Sequence, residues 1–223
     1  VPVVEGDLSS SGVILLRSIE RRLLDGLPSK VVLPDPLTFV DCAEDRHYGS
    51  REKLLFAYCD CVLHPELEQL SKSGVKYIQF SAPSLVARFR NGPVARDELT
   101  QLSEALRGAL RGVRSRTGYH TFFGDASPYL PDLIDILPTD DIGFDLTQTD
   151  PDLLPNSSKG IIAGIVDSRS SYIETPNEIS RRLGRLLDRS RTLILTPSAD
   201  LQYVPRAVAD AKLKNLAAAR DRL

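Results

Sequence analysis

The sequence predicts an α/β fold: a (β/α)8 TIM barrel whose first βα unit is missing from this chain. Three observations carry that expectation. Short apolar runs recur, and each turns small, polar or acidic at its carboxyl end: Val31–Asp35, Tyr77–Ser81, Ile142–Asp145, Ile161–Asp167 and Leu193–Ser198. Amphipathic helical stretches alternate with them, as βα units joined into a parallel sheet require. No run is followed by a Gly-rich dinucleotide fingerprint, which lowers the runner-up architecture, an open doubly wound sheet. Apolar runs of this kind suit parallel strands buried on both faces. In an α/β barrel their carboxyl ends meet at the rim where chemistry sits.

The elements follow in order. Val1 to Gly6 reads as a strand. Val13 to Leu24 reads as a helix, with Val13, Leu16, Ile19, Leu23 and Leu24 close to a helical period. Lys30–Leu33 is a strand, followed by a loop that includes the polar stretch Asp41–Ser50. A helix over Arg51–Ser73 stops at Gly74, since a lone glycine after a helix suits a left-handed cap. Strand Val75–Phe80 precedes a helix over Arg96–Ser115 that aligns Leu99, Leu102, Leu106 and Leu110. Strand Gly118–Phe123, a short helix over Tyr129–Ile136, and strands Ile142–Leu146 and Gly160–Asp167 come next. Thr175-Pro176-Asn177-Glu178 marks a helix start, with Thr at the N-cap, Pro in the first turn and Glu three residues after the cap. That helix runs to about Asp188. Strand Thr192–Leu195 and a last helix over Pro205–Arg222, with an inward stripe of Val208, Ala209, Leu213, Leu216 and Ala217, complete the chain. Seven strands result where a barrel needs eight. The 223 residues fall short of the typical ~250 by about one βα unit, placed before Val1. Residues 1–223 are expected to form one domain.

Composition narrows the function. A net charge of −2 offers no broad basic surface for nucleic acid. No apolar run approaches the ~18 residues that span a bilayer. Three cysteines, an odd number, do not make a secreted disulfide scaffold, so a cytoplasmic location is expected. The chain has no methionine, not even at its start, as in a processed protein or an excerpt of a longer one.

Seven segments stand in a telling order: Pro2–Asp7, Lys30–Phe39 (KVVLPDPLTF), Gly74–Leu85 (GVKYIQFSAPSL), Tyr119–Phe122, Ile142–Thr147 (IGFDLT), Gly164–Arg169 (GIVDSR) with Ile173–Pro176 behind it, and Leu195–Leu201 (LTPSADL). In register, they resemble the cobalamin-independent methionine synthase family, particularly its short archaeal-type members and the barrel domains of its longer ones. The resemblance implies a barrel that transfers a methyl group from a folate to the thiol of homocysteine. In the family a zinc ion is bound by a His and a Cys two residues apart, an acidic residue on the next strand and a Cys on the last. It holds the acceptor as thiolate, the nucleophilic form of a thiol with a pKa of ~8.5. Carried over by position, the His is His120 and the acid is Asp145, but the two cysteines are Phe122 and Ala199. Ser81-Ala82 stand where the family has an Asp-Glu pair, so the Asp that would grip the substrate amino group is absent. Arg169 stands where it has a proton-donating His, a role an arginine cannot fill at neutral pH. His120 and Asp145 alone should hold zinc poorly, since catalytic zinc usually keeps three protein ligands. The longer enzymes also carry an amino-terminal barrel without zinc ligands, which Pro197–Leu201 resembles about as well.

The polar strand ends form the candidate site. Arg169 and Asp167 are the candidate catalytic pair. They alternate on one strand and so face one side, and Arg169 suits an anionic group of a ligand; a structural salt bridge is the plainer alternative. His120 and Asp145 are candidate metal ligands. The alternatives are a buried, hydrogen-bonded histidine and, for Asp145, an N-cap or an ion pair with Arg169, because an unpaired buried carboxylate is costly. Ser81, Ser198 and Asp200 are candidate substrate contacts, or else loop caps. Cys59 and Cys61, with His64 nearby, lie about 200° apart on a helix, so two buried helix cysteines are expected rather than a metal clasp. Cys42 and His47 fall in the loop expected to overhang the site.

Three functions compete. The first is methyl transfer from a folate-type or other one-carbon donor to a thiol such as homocysteine. The second is a non-catalytic barrel that binds an anionic ligand or pairs with a catalytic subunit or a second copy. The third is a zinc-independent lyase, as in the wider superfamily that includes uroporphyrinogen decarboxylase. Each expects a small-molecule ligand, with neither nucleic acid nor membrane as partner.

Overall fold

The computed structural model describes residues 30–87, 94–130 and 132–222. The expected strand at Val1–Gly6 and helix at Val13–Leu24 lie outside them. Six strands, β1 (Lys30–Pro34), β2 (Tyr77–Ser81), β3 (Arg116–His120), β4 (Asp141–Asp145), β5 (Gly160–Val166) and β6 (Leu193–Pro197), form one sheet. They pair in chain order and always in parallel. A doubly wound sheet reverses its strand order at a switch point; this sheet does not, and its order is that of a barrel wall. Among the described residues the wall is open, with β1 and β6 as edges. Among the described residues the expected (β/α)8 barrel is therefore present as a six-stranded partial barrel.

The connecting helices are α1 (Pro36–Cys42), α2 (Arg51–Tyr58), α3 (His64–Lys72), α4 (Pro83–Val86), α5 (Arg96–Ala109), α6 (Asp132–Ile136), α7 (Pro176–Leu183) and α8 (Arg206–Arg220). α1 occupies a segment expected to be loop. Asp35 starts it, its carboxylate accepting from the amides of Leu37 (2.9 Å) and Thr38 (3.0 Å), with Pro36 in the first turn. The expected helix over Arg51–Ser73 is α2 and α3 joined by a π-helical turn at Cys59–Leu63. Pro65 has no N–H for the carbonyl four residues back, and the wider turn relieves that mismatch. Gly74, at φ +88°, ends the run. α7 begins with the expected capping box of Thr175 and Glu178 but ends at Leu183, five residues early.

Pairing register sorts every strand side chain onto one of two faces. Val31, Leu33, Ile78, Phe80, Tyr119, Ile142, Phe144, Ile161, Ile165 and Leu195 point outward, into the core under the helices. The opposite, inner face is not the apolar surface that strands buried on both faces imply. Over β1–β4 it carries Lys30, Tyr77, Gln79, Ser81, Arg116, His120, Asp141 and Asp145, with Val32 and glycines between them, and it turns apolar on β5 and β6 with Ile162 and Ile194. Gly143 and Gly164 are needed there. A Cβ on Gly143 would lie 2.6 Å from His120 Cδ2, and one on Gly164 would lie 2.6 Å from the Phe144 carbonyl oxygen and 3.2 Å from His120 Nε2.

Candidate functional site

The inner face is layered by register. At its amino-terminal end, Arg116 donates two hydrogen bonds to Asp141 (2.8 and 2.6 Å), and the Tyr77 hydroxyl donates a third (2.8 Å). One layer up, Lys30 Nζ donates to Gln79 Oε1 at 3.0 Å, and Gln79 Nε2 lies 3.5 Å from His120 Nδ1. His120 pairs in register with Ser81 and Gly143 and is 3% exposed. Burial, aided by the Lys30 cation, pushes its imidazole down to about 3. Its Nε2 lies near the Phe144 carbonyl without a hydrogen bond of good geometry. β3 ends at His120 rather than Phe123, because Phe123 turns the chain at φ +70°.

Asp145 closes the top layer and is fully buried. Its Oδ1 accepts from the Thr147 amide (3.0 Å) and hydroxyl (2.6 Å), while Oδ2 has no hydrogen-bond partner among the described residues. The nearest cation is Arg169, with Nη2 at 3.8 Å. That guanidinium also lies 3.7 Å from Asp167 Oδ1 and 5.7 Å over the Phe123 ring. Both carboxylates are within ion-pair range and beyond hydrogen-bonding range, so Arg169, 37% exposed, keeps donors for a ligand. Phe123 meets the exposed Tyr203 edge-on, at 5.8 Å between ring centres.

Asp167 and Arg169 come together for a reason other than strand alternation. β5 ends at Val166, and both residues lie in the turn beyond it, where the Arg169 amide donates to Asp167 Oδ1 at 2.9 Å. Behind that turn the Asp167 amide donates to Glu174 Oε1 (2.8 Å), and Glu174 Oε2 receives the buried Lys212 ammonium (2.6 Å). Lys212 also donates to the Tyr172 carbonyl. The sequence signals for this support were faint. Glu174 precedes a capping residue, and Lys212 breaks the apolar stripe of α8. The buried stripe is Ala209, Lys212, Leu216 and Ala219, whereas Leu213, expected inward, is 47% exposed.

The other candidates are distributed as follows. Ser81 ends β2 on the inner face, half-buried, and its carbonyl accepts from the Asp35 amide. Ser198 is buried, and its hydroxyl is engaged with the amide and hydroxyl of Ser168, both at 3.1 Å, which joins the ends of β5 and β6. Asp200 is exposed beyond β6 and adds to the field on Lys30. Cys42 is the last residue of α1, exposed, and not part of an overhanging loop. Cys59 is buried with its thiol pushed up to about 12, but Cys61 is exposed, so the expectation of two buried cysteines holds for one. His64 Nδ1 pairs with the Ala109 carbonyl at 2.9 Å. A cavity of about 350 Å³ adjoins the rim, lined by Thr147, Asp167, Ser170, Tyr172, Glu174 and Arg182 among others.

A zinc ion does not fit these residues. Of the four ligand positions the resemblance implies, two carry Phe122 and Ala199, and the Phe122 ring packs 5.7 Å from the His120 ring. Among the described residues no group of three or more His, Cys, Asp or Glu side chains is arranged to hold a metal ion. Nor is any helix there long and apolar enough to cross a membrane.

Comparison with known proteins adds a family. The family model described as "Cobalamin-independent synthase, N-terminal domain" matches residues 4–191. The chain is 26% identical over 192 residues to a methionine synthase of Sulfurisphaera tokodaii, covering 84% of this chain and 54% of that protein. It is 25% identical over 193 residues to one of Thermococcus kodakarensis, covering 84% and 55%. The chain thus spans about half the length of these curated relatives. Among solved structures it is similar to a B12-independent methionine synthase from Shewanella sp. W3-18-1 in complex with selenomethionine (TM-score 0.75, 22% identity, 98% of this chain and 67% of that one). It is also similar to a methyltransferase from Methanosarcina mazei (TM-score 0.66, 14% identity, 91% and 62%). At these identities the structural likenesses show the fold.

Proposed function

The chain belongs to the cobalamin-independent synthase family, N-terminal domain, and from that premise we propose that it serves methyl transfer from a folate-type or other one-carbon donor to a thiol such as homocysteine. The observation that carries this reading is the pairing, at the barrel rim, of an Arg169 guanidinium with unspent donors and a buried Asp145 oxygen with no donor to accept. An acceptor with a carboxylate and an ammonium group satisfies both: the carboxylate on Arg169, the ammonium on Asp145 Oδ2. Thr147 fixes the Asp145 carboxylate through Oδ1, and Glu174 fixes the turn that bears Asp167 and Arg169. The thiol gives up its proton before attack, because only the thiolate of a group with an ordinary pKa of ~8.5 is nucleophilic. The sulfur then attacks the methyl carbon as the donor's bond to that carbon breaks. The proton lost by the thiol is matched by one gained by the departing donor, and no oxidant is needed. We place the reaction in the cytoplasm, with one small-molecule acceptor and one donor.

A second reading is favoured by Phe122 and Ala199 at the thiolate positions: a barrel that binds ligand and pairs with a catalytic partner or a second copy. One experiment separates the two. The purified full chain is given homocysteine and methyltetrahydrofolate, and methionine formation is followed. The first reading expects turnover, and Arg169→Ala should lower kcat/KM about a hundredfold or more, on the order of 3 kcal/mol of transition-state stabilisation. Calorimetric binding of either compound without turnover establishes the second reading. Neither binding nor turnover rejects both.

A further inference from the structure

One chain of hydrogen-bonded side chains on the inner face is left unused by the proposed reaction. Lys30 Nζ donates to Gln79 Oε1 at 3.0 Å, and an ammonium can only donate. This assigns the amide: with its oxygen held by Lys30, Gln79 turns its NH2 toward His120, whose Nδ1 lies 3.5 Å from Nε2 of the amide. An amide NH2 likewise only donates, so Nδ1 is the acceptor and carries no proton. The ring proton is then on Nε2, since the bond made at one ring nitrogen sets what the other presents. His120 Nε2 lies near the Phe144 carbonyl without a hydrogen bond of good geometry, and beside Gly164, where a side chain would crowd it.

We infer that Lys30 and Gln79 hold His120 as its Nε2–H tautomer, so that the barrel wall offers a ligand a hydrogen-bond donor where a metal site would offer a lone pair. Metal-bound histidines turn one nitrogen's lone pair to the ion and donate the other N–H to a carboxylate or carbonyl; here the Nδ1 lone pair faces the Gln79 amide instead. The ligand group that fits is a carbonyl or carboxylate oxygen. Asp145 Oδ2, two residues beyond Gly143 on the same face, accepts a donor from the same molecule. Gln79 and Lys30 act through His120 and are positioning residues. The inference rests on hydrogen-bond polarity and is independent of whether methyl transfer occurs.

Long-range proton–nitrogen correlation spectra of the nitrogen-15-labelled full chain test it, with His120 signals assigned by their loss in His120→Gln. At neutral pH the wild type should show a bare Nδ1 and a protonated Nε2, unmoved by equimolar zinc. Gln79→Glu, which places a carboxylate against Nδ1, should invert the pattern. A wild-type Nδ1–H form, an imidazolium, or His120 signals that shift with equimolar zinc would each overturn the inference. The wild-type spectrum decides by itself if the variant does not fold. An overturned tautomer leaves the methyl-transfer reading intact, and absent turnover leaves the tautomer intact.

Discussion

Asp35, fully buried, accepts hydrogen bonds that include those from the amides of Leu37 and Thr38 and from the Tyr119 hydroxyl at 2.8 Å. Burial outweighs them and raises its carboxyl to about 6. An unfolded aspartate titrates near 3.9, so the native state holds the proton more tightly. The stability this contributes is full below about pH 4 and is lost as pH rises through about 6. Asp35→Asn keeps the shape and removes the titration. Between about pH 4.5 and 7 the wild type should lose about 2 kcal/mol relative to this variant, measured by urea unfolding at both pH values. A difference that stays constant across the range refutes the raised carboxyl. His120 acts in the opposite sense: its lowered imidazole supports stability above about 6.5, a contribution lost as pH falls toward about 3. Both proteins share it, so it cancels. At this scale the sequence marks residue types better than their partners. Asp145 at a strand end announces a buried carboxylate, and an ion pair with Arg169 is one of three readings it allows. Lys30 and Gln79 give no signal, because their meaning comes from register across three strands.

A buried ion pair ties helix α8 to the rim. Lys212 is fully buried and reaches Glu174, whose other oxygen holds the Asp167 amide and whose carbonyl accepts from Asn215 at 2.9 Å. Lys212→Met preserves the apolar stem but strands the Glu174 carboxylate without its cation. It should destabilise the fold by about 3–5 kcal/mol, seen as a lowered urea midpoint with unchanged slope. A loss below about 1 kcal/mol would mean that the pair contributes little more than a surface bridge. The same pair shows why elements differ in legibility. α7 is readable because its capping box is written in four adjacent residues. α8 is readable as a helix, but its buried face is not, since a lysine is inward only when an acid from 38 residues away meets it. α1 is faint in the sequence because its start rests on the Asp35 side-chain cap and its seven residues are too few for a long apolar period.

Over the whole molecule, burial along the strands is graded. β5 is buried at every residue, whereas β1 alternates between exposed and half-buried and β6 is half-buried throughout. The parallel order of the sheet was legible from alternating runs of residues. The polarity of its inner face was not, because a run with one polar residue in two reads like a weak strand until register shows those residues sharing a side. Among the described residues the wall leaves one row of backbone groups on each edge strand without a partner, and such edges open at lower free energy than a central strand. Native-state hydrogen exchange should therefore find the amides of Ile161–Val166 among the slowest, exchanging only with global unfolding. Those of residues 193–196 should exchange at least about a hundredfold faster, a gap of about 2.7 kcal/mol. Equal protection of β5 and β6 would show that another segment or a partner chain covers the β6 edge in solution, and that the wall is closed there.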